Sequence, residues 1–457
     1  MCAIFARPYS PDVRPEKGQG QCFRAMCLWT ALLIPLLSGC NGGDPLGYAK
    51  EAPYAGEFMG SLVADEQVAA HIGQAVLQAG GSAADAAIAT GLALTVTLPS
   101  SAGLGGGGAC LVYNHTKGVA ESLDFLPQKT PSGMAIPTLI RGLFALHARY
   151  GTTRWEELVR PSEALARFGI HPSQTLLSNL KKYKRRALRD PNTQKIFQDL
   201  LKNEHDRLFQ PDLAAFLGRL RSRPMDLYIG SMGLDFITAA RPTINGLSPT
   251  TDQFRNQKPV WKEAPSLKMG QNVLYSFSPA GVRDTVSAAW KRTPSGKLRP
   301  WGSSNLSAGA TGLTVTDATG TVISCALSMN APFGTGHMIP GFGVLTAPTS
   351  GRMHTKTLPF SIGFVVNSHT NLLKAAITST GRGSGKNAAH VLRHLFKKKG
   401  RTTLNTALAD LARRAPGPAV TSGLYCPGGL SRSPSLCQSI PDIRGYGHGL
   451  FVGSSLF

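Results

Sequence analysis

Apolar positions recur with a helical period over residues 66–78, and after Gly80-Gly81 the run Ser82-Ala83-Ala84-Asp85 is a capping box that opens a small-residue helix, AADAAIATGLALTV. So many Ala and Gly residues imply a helix pressed close against a flat surface, a sheet. Alternating apolar positions over 109–113 and 120–125 predict two strands joined by a turn at 114–118. Helical spacing returns at 139–150 and 155–168, and 171–290 is predicted to be mostly helical, with Pro211 at one helix start. Residues 293–310 (TPSGKLRPWGSSNLSAGA) lose periodicity and predict an exposed, flexible segment.

Beyond that segment the pattern turns β-like. Strands at 313–316 and 321–329 flank a turn at Asp317-Ala318-Thr319-Gly320, strands follow at 362–366 and 375–378, and 387–396 is helical. Helices, then strands on both sides of a loop, then helices again predict an α+β chain folded as a four-layer αββα sandwich. The four glycines Gly105 to Gly108, between a helix and a strand, are expected to allow close backbone packing.

The N-terminal pattern concerns targeting. Arg7, Arg14, Lys17 and Arg24 precede an apolar run, MCLWTALLIPLL, that is shorter than the roughly 20 residues a membrane-spanning helix needs. It has the form of a secretory signal. Leu37-Ser38-Gly39-Cys40 resembles a bacterial lipobox, which implies cleavage before Cys40 and a lipid on its thiol. The expected organisation is a lipoprotein signal peptide at 1–39, a Gly- and Pro-rich tether at 40–60, and one folded domain from residue 61. The expected location is the bacterial cell envelope, facing the periplasm.

Composition narrows the class. Hydrophobic residues make up 42% and charged residues 16% of 457, a balance that favours a packed globular chain over disorder or coiled coil. A formal charge of +22 raises nucleic-acid binding, but the densest basic runs, Lys181-Lys182-Tyr183-Lys184-Arg185-Arg186 and Lys397-Lys398-Lys399-Gly400-Arg401, carry no nucleic-acid-binding fingerprint. They suit a solvated basic face or contact with an anionic membrane. Cys426 and Cys437 bracket a Pro/Gly/Ser loop, and an oxidising envelope would allow them to pair, whereas Cys110 and Cys325 sit in apolar runs and are expected as buried thiols. The eleven histidines show no ligand spacing, and neither a metal nor another cofactor is expected.

With these pieces in order, the chain resembles the γ-glutamyltransferase (glutathione hydrolase) family of N-terminal-nucleophile hydrolases. The resemblance rests on Gly80-Gly81-Ser82-Ala83-Ala84-Asp85-Ala86-Ala87, the PSSAGLGGGG stretch, Leu123-Asp124-Phe125, Tyr150-Gly151-Thr152, Gln210-Pro211-Asp212-Leu213-Ala214, and Met329-Asn330 followed by Phe333-Gly334-Thr335-Gly336. It implies the N-terminal-nucleophile fold and a precursor that cuts itself ahead of a threonine. The threonine hydroxyl then attacks a γ-glutamyl amide while its freed amine acts as base. A large-subunit-like part at 61–309 and a small-subunit-like part at 310–457 would follow.

Several family positions are altered. The nucleophile position falls on Ala310, followed by Thr311 and Gly312, so Thr311 becomes the candidate nucleophile although one step along a strand reverses the side chain's face. Leu126 stands where the family clamps the substrate carboxylate with arginine, and Arg352 where it has an acidic residue. The resemblance assigns Asn330 and Ser361 to substrate binding and gives Gly381 the first oxyanion N–H; Ser328, two residues before Asn330 on the same strand face, joins the substrate-binding set, and Arg352 is expected to favour an added substrate carboxylate. Phe360 and Arg382 replace a second serine and a second glycine. Two functions follow: a self-processed threonine amidohydrolase or acyltransferase acting on an amide or peptide such as glutathione, or an uncleaved, catalytically inactive, lipid-anchored binding protein.

Overall fold

Glu66 caps α1 (Gln67–Gln78) by accepting the Ala69 N–H, and the predicted capping box opens α2 (Ala83–Thr97), with Ser82 and Asp85 exchanging side-chain-to-backbone bonds. Every residue of α2 is buried, which its small side chains permit. The computed structural model describes residues 58–127, 130, 134–244, 249–279, 285–292, 309–349, 358–397, 402–414 and 419–453, all within the unit Lys50–Phe457.

The described strands are β1 (Phe58–Ala64), β2 (Gly107–Asn114), β3 (Val119–Phe125), β4 (Val260–Glu263), β5 (Ser266–Met269), β6 (Asn272–Ser276), β7 (Ala310–Asp317), β8 (Val322–Ser328), β9 (Met338–Ile339), β10 (Val344–Leu345), β11 (Phe360–Asn367), β12 (Leu373–Thr380), β13 (Val420–Tyr425), β14 (Gln438–Ile440) and β15 (His448–Gly453). One sheet runs β15-β1-β7-β8-β2-β3-β4 and the other β14-β13-β12-β11-β6-β5, with β9 and β10 forming a small ladder of their own.

Three apolar layers hold these elements. The first packs α1, α2 and the helices Leu139–Tyr150 and Trp155–Phe168 on one face of the seven-stranded sheet, through residues such as Leu62, Cys110, Leu313, Val315 and Leu327. The second lies between the sheets, through Leu111, Tyr113, Val322, Phe360, Ile362 and Phe364. The third packs the helices Val286–Arg292, Ser384–Lys397 and Leu404–Arg414 under the six-stranded sheet. The architecture is the four-layer αββα sandwich that the order of elements predicts.

The glycine run before β2 serves close approach: a Cβ at Gly105 would lie 2.1 Å from Leu345 O, and one at Gly106 would lie 2.3 Å from Ser328 O.

Some expectations need correction. The predicted helical stretch 171–290 is interrupted by β4, β5 and β6, strands of only four or five residues, too short for their period to stand out, before the helix Val286–Arg292. β1 begins at Phe58, inside the expected tether, because Leu62 and Val63 pair into the sheet centre. Cys110 and Cys325 are not thiols: they face each other across β2 and β8, with Cα atoms 4.1 Å apart, and form a disulfide. Cys426 and Cys437 also pair.

No helix of the described residues is long and apolar enough to cross a membrane. The signal segment, Cys40, the aperiodic stretch 293–308 and Arg352 lie outside the described residues.

Candidate functional site

β1 and β7 run antiparallel with Ala64 opposite Leu313, so the residue after β1, Asp65, comes beside the first residues of β7. A cleft of ≈ 180 Å³ opens there, lined by Asp65, Ala310 and Thr311, by Thr380 and Gly381 at the end of β12, by Thr175, Asn179 and Lys182 of the helix Gln174–Lys182, and by Asp442 and Tyr446.

The alternation along β7 decides what faces the gap between the sheets. Thr314 Oγ1 lies 3.1 Å from Thr378 Oγ1 of the opposite sheet, and a Cβ on Gly312 would come 2.5 Å from the Thr378 methyl. Even-numbered positions, Ala310 among them, therefore point between the sheets. Leu313 and Val315 belong to the layer under α2, and Thr311 shares their parity. Thr311 is 1% exposed, and its hydroxyl donates to Asp65 Oδ2 at 3.0 Å, while the same oxygen accepts the Gly312 N–H at 2.8 Å.

Asp65 was not among the residues singled out in the sequence; an aspartate closing an apolar strand carries no signal beyond the helix that follows. Its burial pushes the carboxyl up to about 6, an effect the Gly312 and Thr311 bonds reduce and the nearby Asp442 charge increases. Asp442 accepts the Thr421 N–H at 2.7 Å and the Arg444 Nε at 2.9 Å. The buried Thr175 Oγ1 has no hydrogen-bond partner among the described residues.

Of the residues assigned by resemblance, Thr311 and Gly381 line this cleft, and Ser328, Asn330 and Ser361 do not. Ser328 lies across from Ala310, but its hydroxyl donates to Gly309 O at 3.1 Å and accepts the Asn330 N–H at 2.9 Å. Asn330 donates its Nδ2 to Pro348 O at 3.0 Å. Ser328 braces the entry to β7, Asn330 holds Pro348, and neither lines the cleft.

Gly381 does line it, yet its N–H donates to Pro359 O at 2.6 Å and extends the β11–β12 ladder past the Phe360–Thr380 pair, so that donor is not open to an oxyanion. Ser361 faces away from the inter-sheet layer, 3.1 Å from Ser384 Oγ at the start of the helix Ser384–Lys397. Phe360 and Leu126, which replace polar family positions, join the apolar layer between the sheets, with Phe277 and Phe360 ring centroids 5.9 Å apart.

Among the described residues one set could hold a metal, and it is separate from the cleft lining: His390, His394 and Asp410, whose donor atoms all lie within 4.8 Å of one another. The four-residue spacing of the two histidines corrects the expectation that no ligand spacing exists.

A family model described as gamma-glutamyltranspeptidase matches residues 69–132 and 126–291. A scoloptoxin, SSD14, of the centipede Scolopendra dehaani is 30% identical over 260 residues, 50% of this chain and 44% of its own. A glutathione hydrolase proenzyme of Pseudomonas aeruginosa is 26% identical over 243 residues, 48% of this chain and 42% of its own. The chain thus spans less than half the length of either relative. Among solved structures, a cephalosporin acylase from Bacillus halodurans superposes with a TM-score of 0.68 at 16% identity, covering 89% of this chain and 98% of that one, which is a likeness of fold.

Proposed function

The chain is a divergent member of the γ-glutamyltranspeptidase family, and from that premise we propose that it acts as an uncleaved binding protein, with no amide turnover of its own. The observation that carries this reading is the division of labour between Ala310 and Thr311. The side chain facing between the sheets, at the position the family gives its nucleophile, is a methyl group, and the neighbouring hydroxyl is committed to Asp65 on the other side. The oxyanion donor expected at Gly381 is bonded to Pro359, and the carboxylate-clamp position holds an apolar leucine. An enzyme of this kind needs nucleophile, base and oxyanion donor converging on one atom, and these residues diverge.

The cleft itself still suits a small peptide-like amide. Asp65 offers a carboxylate for an amine, and Lys182 on the exposed rim offers a cation for a carboxylate. The binding reading is tested by calorimetric titration with dipeptides, glutathione and a γ-glutamyl anilide, with release of the aniline followed in parallel. It predicts saturable binding of a peptide-like ligand, weakened in Asp65→Asn and Lys182→Ala, and no aniline release. Aniline release that disappears in Thr311→Ala would overturn it.

A second reading has one observation in its favour. The 3.0 Å bond from the Thr311 hydroxyl to a carboxylate poised at about 6 is a nucleophile–base pair in form. In it, Thr311 is freed by self-cleavage and acts as a threonine amidohydrolase or acyltransferase on a γ-glutamyl or related amide.

The lipobox-like sequence ending in Cys40 supports anchorage to a bacterial envelope membrane through a lipid, with the folded part facing the periplasm. Two disulfides, Cys110–Cys325 and Cys426–Cys437, suit such an oxidising compartment.

A further inference from the structure

We propose that His390, His394 and Asp410 form a binding site for a divalent ion of the zinc class, built on the outer helical layer and independent of the cleft. His390 and His394 are four residues apart on the helix Ser384–Lys397, so their imidazoles stand one above the other on the same face. The helix Leu404–Arg414 packs against it and presents Asp410 to both rings. His390 Nε2 lies 3.0 Å and His394 Nδ1 3.5 Å from the same oxygen, Asp410 Oδ2. A tetrahedral zinc centre with bonds near 2.1 Å has ligand–ligand edges of about 3.4 Å. Two of the three edges therefore stand close to the spacing that one ion would impose, and all three donors lie within 4.8 Å of one another.

The chemistry of the set is also right. Two imidazole nitrogens and one carboxylate oxygen suit zinc, cobalt or nickel better than calcium or magnesium. The side chains are 21%, 8% and 11% exposed for His390, His394 and Asp410, which leaves one edge open for water as a fourth ligand. The other carboxylate oxygen, Oδ1, accepts the Arg414 Nε at 2.9 Å, with Arg413 Nη2 at 3.6 Å. That pairing fixes the orientation of the carboxylate and leaves Oδ2 to the ion, as partners behind a metal ligand do. It also places positive charge beside a dication, which offsets part of the electrostatic attraction to the ion. Arg393, on the histidine helix, is turned away to the backbone oxygens of Ala289 and Trp290. An ion here would tie the two outer helices together.

The plain alternative is a pair of histidine–aspartate hydrogen bonds between helices, and the experiment separates the two. The untagged full chain is stripped with a chelator at pH 8, where an ordinary imidazole is neutral, and titrated with cobalt(II) as the spectroscopic probe. The site predicts one equivalent bound with visible ligand-field absorption, displaced by zinc. It predicts binding at least about tenfold weaker in His390→Asn and in His394→Asn, no milder than the loss of an outer-shell partner. Circular dichroism checks each variant. If His394→Asn does not fold, His390→Asn, at the more exposed position, carries the same comparison. Absence of stoichiometric uptake by the folded chain, or uptake unchanged in His390→Asn, would overturn the site.

Discussion

Asp65 Oδ2 accepts both the Thr311 hydroxyl, at 3.0 Å, and the Gly312 N–H, at 2.8 Å. One carboxylate oxygen thus ties the end of β1 to the start of β7, at the place where the family's chemistry would begin. With the hydroxyl held on the α2 side of the sheet, the gap between the sheets meets Ala310, and the site is organised for holding β7 in place.

Loss of that bond is expected to be felt in stability. Thr311→Val keeps the shape and removes one hydrogen bond to a charged acceptor, which contributes about 1.5–3 kcal/mol. Urea unfolding should show a midpoint shift of that order, with chain length unchanged. An unaltered midpoint would mean that the bond is not formed in solution.

The buried carboxyl of Asp65 sets a pH dependence. Its pKa rises from 3.8 to about 6, chiefly through burial, so the folded chain holds this proton more tightly than the unfolded one. That contribution is complete below the ordinary carboxylate range and is lost as pH rises through about 6. A shift of this size corresponds to about 1–3 kcal/mol. Asp65→Asn should therefore flatten the fall in stability between about pH 4 and pH 6 and raise stability at pH 7 by that order. Denaturant midpoints taken across this window for both proteins provide the check, and parallel curves would contradict the assignment.

The Cys110–Cys325 bridge closes a span of 215 residues, and Cys426–Cys437 a span of 11. Replacing the first pair with alanines should lower stability by about 2–5 kcal/mol, and replacing the second by less. Unfolding without reductant compares the two variants directly, and equal losses would count against the loop-length argument.

Gly312 packs where no side chain fits, since its Cβ would sit 2.5 Å from the Thr378 methyl. Gly312→Ala should cost about 1–3 kcal/mol. Adding Thr378→Ser, which deletes that methyl, should recover part of the loss, because the two positions are in contact. Additive losses in thermal unfolding would show that the strain lies elsewhere.

How far the sequence revealed the molecule depends on what kind of signal each part leaves. The capping box of α2, the helices Leu139–Tyr150 and Trp155–Phe168, and the β7–β8 hairpin follow from periodicity and turn chemistry, which act locally. The strands β4 to β6 escaped because four or five residues are too few for a period to stand out from a helical one. The disulfide Cys110–Cys325 joins residues whose neighbourhood is set only by sheet order.

At the site, the strand parity of Ala310 and Thr311 was legible in advance, but Asp65 as the partner of Thr311 was not, since that depends on β1–β7 register. The bond from Gly381 to Pro359 and the outward turn of Ser361 likewise need the register of β11 with β12. His390 and His394 were visible as a four-residue spacing, but Asp410 reaches them only through helix packing.

The most direct test of the central claim is the mass of the purified protein after reduction, with Thr311→Ala beside it. Reduction is essential, because a chain cut before Thr311 would stay joined through Cys110 and Cys325. One chain running past residue 310 is expected in both proteins. A reduced fragment of about 15 kDa that begins at Thr311 and is missing from Thr311→Ala would contradict it and establish Thr311 as a working nucleophile.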